Sequence, residues 1–231
     1  MLPILLVPGL GCTAEVFAPQ IPVLWPLGPV TITNTLVGDS MAAIAANILA
    51  TAPPRFALGG ISMGGYLCFE ILRQAPERVA KLALLDTSAR PDLPEQSERR
   101  RGLVARARAG EYETMHDELF PGLVHPDHQN DAALLALNIR MSLAIGVEGF
   151  ARQQEAIINR PDSRPGLGSI SQKTLVLVGD ADMLTPPELA REIAAGIPAS
   201  RLVVVPGSGH MSTWEQAGRV NAALVEWLRA A

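Results

Sequence analysis

The chain of 231 residues has only two cysteines, Cys12 and Cys68. Two thiols make no disulfide framework, and their spacing is not that of a metal site. No continuous apolar run reaches the ~18 residues needed to cross a membrane. The apolar start, Met1 to Gly9, lacks the basic flank and the length of a secretory segment. Positive charge is not in excess: 19 Lys and Arg against 23 Asp and Glu leave a net charge of −4, which argues against a nucleic-acid surface. There is no internal repeat and no low-complexity segment. A soluble cytoplasmic protein is the expectation. What is present, 48% hydrophobic and 18% charged residues, suits one sizeable core. The one basic cluster, Arg99-Arg100-Arg101 continuing to Arg106 and Arg108 and preceded by Glu95 and Glu98, reads as the solvated face of a helix.

Short apolar runs alternate with helical patterns over most of the chain. Ile4 to Val7 is a continuous apolar run ended by Pro8-Gly9, as in a strand buried on both faces. Further strand-like runs are Pro29–Thr35, Arg55–Leu58, Val79–Asp86, Lys173–Gly179 and Arg201–Val205. Between them lie a helix from Met41 to Ala50 behind the N-cap candidates Asp39 and Ser40, a helix from Tyr66 to about Gln74, one after Pro186-Pro187, and a last one from about Ser212 to Arg229. Strands alternating with helices imply a mainly parallel sheet covered on both faces. From Pro91 to Pro165 the pattern changes to helices only, at Leu93–Ala109, Tyr112–Phe120, Asp131–Ile145 and Glu148–Asn159. That stretch reads as a helical cap, residues 91–165, inserted into a core made of residues 1–90 and 166–231.

The chemistry centres on Gly60-Ile61-Ser62-Met63-Gly64, a G-x-S-x-G pentapeptide entered from a strand and left into a helix. Such a turn presents its serine as a nucleophile on a strained backbone, with glycines where a Cβ would clash. A serine hydroxyl is a weak nucleophile until a base removes its proton. Of four histidines, His116, His125 and His128 fall in the cap among polar residues and read as surface histidines. His210 lies in Pro206-Gly207-Ser208-Gly209-His210-Met211, after a buried strand, on the sheet edge that Ser62 shares. The acid that would orient it could be Asp86, Asp180 or Asp182, all at strand C-termini, and Asp182 gives the chain order Ser, Asp, His. An oxyanion hole needs backbone N–H groups. Met63 and Leu10, the latter in the loop Pro8-Gly9-Leu10-Gly11, are the candidates. Cys12 in that loop is open to a reactive-thiol reading, and Cys68 reads as a small buried residue. Met141, Met183, Met211 and Trp214 suggest an apolar substrate pocket, and Arg152 or Arg160 could meet a substrate carboxylate.

These pieces, in this order, resemble a serine hydrolase of the α/β-hydrolase fold with a helical cap, similar to the bacterial esterase, enol-lactonase and C–C hydrolase branch. The resemblance implies an α/β-hydrolase fold with a mainly parallel sheet of about six strands lacking the first hairpin. It implies Ser62 as nucleophile, His210 as base, Asp182 as acid, and Leu10 and Met63 as oxyanion donors. It departs from many relatives in carrying Pro8 where they have His. The implied activity is hydrolysis of a small, largely apolar carboxylic ester, lactone or thioester through an acyl-enzyme. C–C bond hydrolysis of a vinylogous diketone, acyl transfer or perhydrolysis, and a non-enzymatic binding role are the alternatives. A serine at this position argues against the dehalogenase and epoxide hydrolase branches, which use a carboxylate. The expected partner is a small ester-like molecule, with no cofactor, metal, nucleic acid or membrane involved, and the chain acts as monomer or homodimer.

Overall fold

A computed structural model describes residues 1–230. Six strands, β1 (Ile4–Val7), β2 (Val30–Ile32), β3 (Phe56–Ile61), β4 (Val79–Leu85), β5 (Lys173–Gly179) and β6 (Ser200–Val205), form one sheet in the order β2-β1-β3-β4-β5-β6. All five pairings are parallel. β1 and β3 are buried along their whole length, whereas the edge strands β2 and β6 are half-exposed. This is why the inner runs carry unbroken apolar sequence.

The helices are α1 (Ile21–Leu24), α2 (Met41–Thr51), α3 (Met63–Gln74), α4 (Pro94–Arg106), α5 (Met115–Leu119), α6 (Ala132–Ile158), α7 (Pro187–Gly196), α8 (Ser212–Glu215) and α9 (Ala217–Arg229). Successive strand residues point to opposite faces, and two cores result. Leu5 and Val7 of β1 join Ile44 of α2, Leu67 and Ile71 of α3 and Ile193 of α7. Ile4 and Leu6 face the other way, onto Phe17, Leu24 and the Val220, Leu224 and Trp227 stripe of α9. Ser40 caps α2, accepting from the Ala43 N–H at 3.2 Å, as expected of an N-cap serine.

Everything regular between β4 and β5 is helical, as the sequence pattern implies. The two helices expected at 131–145 and 148–159 meet at Gly146, whose φ of 73° and ψ of 164° only glycine adopts readily. The helix breaks there, so α6 is two helical segments joined at that residue. The helix expected over 112–120 is shorter, Met115–Leu119, and follows a wider turn of helix at Ala107–Glu111. The single terminal helix expected from Ser212 is broken at Gln216 (φ −129°, ψ 46°) into α8 and α9. By length and mean hydropathy Ala132–Ile158 is apolar enough to cross a membrane, although it holds no continuous apolar run of that length and its backbone breaks at Gly146. Part of its apolar side is buried, Leu134, Leu137 and Met141 in one core and Ala156 and Ile157 in the other, while Leu143 is exposed.

The two stems of the helical insertion are pinned together by charge. Asp92 before α4 is buried and pairs with Arg160 after α6 and with Arg100 at 2.8 Å. The Arg160 guanidinium lies 4.3 Å from the centre of the Tyr66 ring and donates to the Arg90 and Ile157 carbonyls. A guanidinium desolvated with this many acceptors is held by its forked geometry, so Arg160 is not free to meet a substrate. Of the other arginines of the basic cluster, Arg101 pairs with Glu98, Arg106 with Glu111 and Glu118, and Arg108 with Glu148, all toward the surface.

α3 approaches β1 so closely that a methyl group on Gly64 would overlap the Val7 carbonyl, and one on Gly60 would overlap the backbone of Gly64. Replacing Gly64 with Ala is expected to lower stability by about 3 kcal/mol or more in urea unfolding, because backbone must move to admit the side chain. A midpoint equal to wild type would show that α3 and β1 are not in this contact.

Candidate active site

The chain runs from β1 to β2 on one side of the sheet and from β3 to β4 on the other, so the order reverses between β1 and β3. Loops at such a reversal open a crevice at the strand C-termini. The loops after β1 and β3 meet there, since a methyl on Gly9 would sit 3.4 Å from the Ser62 Cβ. Ser62 has φ 55° and ψ −117°, a conformation that costs a non-glycine residue about 1–3 kcal/mol. It is held by its own N–H to the Leu85 carbonyl (2.9 Å) and by the Thr87 hydroxyl, which donates to the Ser62 carbonyl at 2.8 Å.

The fold brings Ser62, His210 and Asp182 into line. His210 Nε2 is 2.9 Å from Ser62 Oγ, and His210 Nδ1 is 2.8 Å from Asp182 Oδ2. An ionised carboxylate only accepts, so Nδ1 carries the proton and Nε2 is left to accept from the serine hydroxyl. Asp182 is itself fixed by the N–H groups of Leu184 and Thr185, each at 2.9 Å, and by the Thr185 hydroxyl at 2.7 Å. Burial opposes the Asp182 charge, but His210 and these donors outweigh it and hold its carboxyl below the usual range. Burial likewise pulls His210 down, and the adjacent Asp182 charge and hydrogen bond more than offset this, so that its net shift is upward.

The other two candidate acids do different work. Asp180 Oδ1 accepts from the Gly207 and Ser208 N–H groups, at 2.9 and 3.2 Å, and so anchors the loop carrying His210. Asp86 is fully buried at φ 44° and bonds the Gly179 N–H (3.0 Å) and the Ser212 hydroxyl, not His210. Burial, reinforced by the Asp182 charge, pushes its carboxyl up to about 8. The two carboxyls are thus pushed apart, Asp86 toward the protonated form and Asp182 toward the charged one.

Leu10 follows Gly9, where an added methyl would lie 3.4 Å from the Ser62 Cβ, and Met63 follows Ser62 directly as the first residue of α3. Among the described residues, neither N–H is used in a turn or side-chain hydrogen bond. The next N–H of the β1 loop, Gly11, donates to Gln153 Oε1 at 3.0 Å, and Gln153 Nε2 donates to the Thr35 hydroxyl at 2.9 Å. Cys12 is half-buried, and desolvation by its surroundings pushes the thiol up to about 12, which argues against the reactive-thiol reading, while Cys68 is buried as expected.

Of the expected pocket residues, Met141 and Met211 are buried in one cluster with Leu134 and Leu137. Trp214 walls a cavity of about 280 Å³ with Leu134, Leu137, His128 and Glu215, and its indole N–H donates to the Glu15 carbonyl at 2.9 Å. Met183 is 76% exposed. The turn that ties Asp182 inward through two consecutive N–H groups turns its neighbour out, so Met183 lines no enclosed pocket. Arg152 is exposed as well. The three histidines expected at the surface are partly enclosed. His116 is 7% exposed against Tyr112, and His128 Nδ1 lies 2.9 Å from Glu215.

Sequence reasoning missed Gln153, Thr87, Thr185 and Glu215. Gln153 left a faint sign, a polar residue three after Phe150 and four before Ile157 on a buried stripe. The others carry no local signal.

A family profile described as the alpha/beta hydrolase fold matches residues 34–217. Among solved structures, a thermophilic esterase from Thermogutta terrifontis is 34% identical, with a TM-score of 0.88 over 99% of this chain and 90% of that one. The enol-lactonase from Burkholderia xenovorans LB400 is 25% identical, with a TM-score of 0.88 over 99% and 91%. A Mycobacterium tuberculosis protein named as a non-heme bromoperoxidase is 28% identical over 212 residues, which span 84% of this chain and 74% of that relative.

Since Asp182 is the main influence raising His210, Asp182→Asn is expected to lower the imidazole pKa. An NMR titration of His210 in both proteins measures this, and an unmoved midpoint would remove Asp182 as the partner.

Proposed function

Because the chain belongs to the α/β-hydrolase-fold family, we propose that it is a serine hydrolase cleaving a carboxylic ester, lactone or thioester of a small, largely apolar substrate. The single observation that carries this reading is the unbroken Ser62–His210–Asp182 line with distances of 2.9 and 2.8 Å. In the proposed reaction His210 Nε2 takes the Ser62 proton as Oγ attacks the substrate carbonyl. The negative oxygen that develops is met by the Leu10 and Met63 N–H groups, and such preorganised donors are worth about 3–4 kcal/mol each. The imidazolium returns its proton to the leaving group, an acyl-enzyme forms on Ser62, and His210 activates the water that releases it. Asp182 keeps the tautomer and stabilises the imidazolium.

The helical insertion between β4 and β5 is proposed to cap this site. Met141, Met211 and Trp214 would form an apolar wall with Leu134 and Leu137, which favours a substrate with few charges. Likeness to an enol-lactonase at 25% identity supports ring opening of a lactone as a second reading with the same steps, the leaving group staying attached to the acyl chain.

Ser62→Ala is expected to cut hydrolysis of a p-nitrophenyl ester by about 10⁶-fold, and wild type is expected to take up a fluorophosphonate probe at Ser62. A panel of aryl esters of graded length, lactones and dienoates then separates the substrate classes. Retention of most activity by Ser62→Ala would sink the assignment.

A further inference from the structure

Glu215, the last residue of α8, is a charged side chain with no exposure to solvent and no part in the proton path from Ser62. Its carboxylate takes four donors. Oε1 accepts from the N–H groups of Gly209 (2.9 Å) and Met211 (3.2 Å), the two residues that flank His210. Oε2 accepts from the N–H of His125 at 2.6 Å and from His128 Nδ1 at 2.9 Å. The segment of the helical insertion from Leu123 to His128 thus meets the His210 loop through one carboxylate. Two further contacts join the same pieces: the His210 N–H donates to the Leu123 carbonyl at 2.8 Å, and a methyl on Gly209 would lie 2.7 Å from the His125 nitrogen.

We propose that Glu215 is a positioning residue that aims the His210 imidazole at Ser62 by clamping both neighbours of His210 to the 123–128 segment, which makes the helical insertion part of the support of the base. The inference rests on the reading of His210 as that base. The loop before His210, Pro206 to Gly209, is rich in glycine and has little stiffness of its own. Asp180 restrains Gly207 and Ser208 from beneath, and beyond Ser208 the restraint passes to Glu215. A buried carboxylate accepting four donors is a stiff joint, since each bond is charge-assisted and directional.

The charged or titratable groups acting on His210 are Asp182, Asp86 and Glu215, and those against Glu215 are His125, His128 and His210. Of the three carboxyls, Glu215 makes the smallest contribution to raising the imidazole. Glu215→Gln keeps the shape, removes the charge and turns an N–H₂ toward two of the donors. It is expected to lower kcat on a p-nitrophenyl ester by about 10²-fold, the cost of a misaimed catalytic group, with KM little changed. The acid limb of the kcat/KM profile should move to lower pH, which loss of a merely structural contact would not cause. His128→Ala removes one tie and leaves the carboxylate and both loop bonds, so kcat should fall by about 3- to 10-fold, the value of one hydrogen bond. Wild-type kcat and an unmoved limb in folded Glu215→Gln overturn the proposal. Should that variant fail to fold, wild-type kcat in His128→Ala does so. A wild-type protein whose Ser62 takes up no fluorophosphonate overturns the hydrolase reading and this inference together, whereas a labelled wild type with an unaltered Glu215→Gln overturns the inference alone.

Discussion

The approach of α3 to β1 leaves room for a hydrogen atom and nothing larger at Gly64, and the geometry of the crevice follows from it. With the helix start pressed onto the end of β1, the chain must turn from β3 into α3 within one residue. Ser62 takes that turn at φ 55°, which lifts its side chain clear of the sheet and into the crevice. The strain persists because the surroundings over-determine it. The Leu85 carbonyl accepts the Ser62 N–H, and the Thr87 hydroxyl donates to the Ser62 carbonyl.

Around that turn the charges are sorted by burial. Asp86 and Asp182 lie at the ends of neighbouring strands, close enough to act on one another. Two carboxylates in a site of low dielectric do not both ionise readily. Asp182, with His210 and three further donors, is favoured in its charged form, and Asp86, with fewer donors and complete burial, in its protonated form. Both bonds of His210 to its neighbours along the line therefore have one direction, with the proton on Nδ1 and the lone pair of Nε2 turned to the serine.

The helical insertion touches this arrangement at two places. Gln153 of α6 holds the loop after β1 through Gly11, and the Leu123–His128 segment holds the loop of His210 through Glu215. The insertion is in turn closed at its base by Asp92 and Arg160. Removing one member of a buried pair of this kind costs about 3–5 kcal/mol, chiefly because the other charge is stranded. The insertion is therefore braced against the same loops that carry the site residues.

The architecture was legible in the residues themselves. Unbroken apolar runs such as Ile4–Val7 and Lys173–Gly179 mark strands buried on both faces, and the pentapeptide around Ser62 marks the turn at which the sheet reverses. Local pattern is sufficient there because strand burial and backbone strain are each recorded in a few adjacent residues. Chain order also favoured Asp182 over Asp86, but their sequences alone do not tell them apart electrostatically, since both end a strand. Which one is charged depends on donors from Thr185, His210, Gly179 and Ser212, brought together by the sheet. The outward turn of Met183, the diversion of Arg160 to Asp92, and the roles of Gln153 and Glu215 were decided only by the tertiary structure. Each depends on a partner remote in sequence or on the local path of a loop, and a polar residue leaves no periodic trace of the contact that will satisfy it.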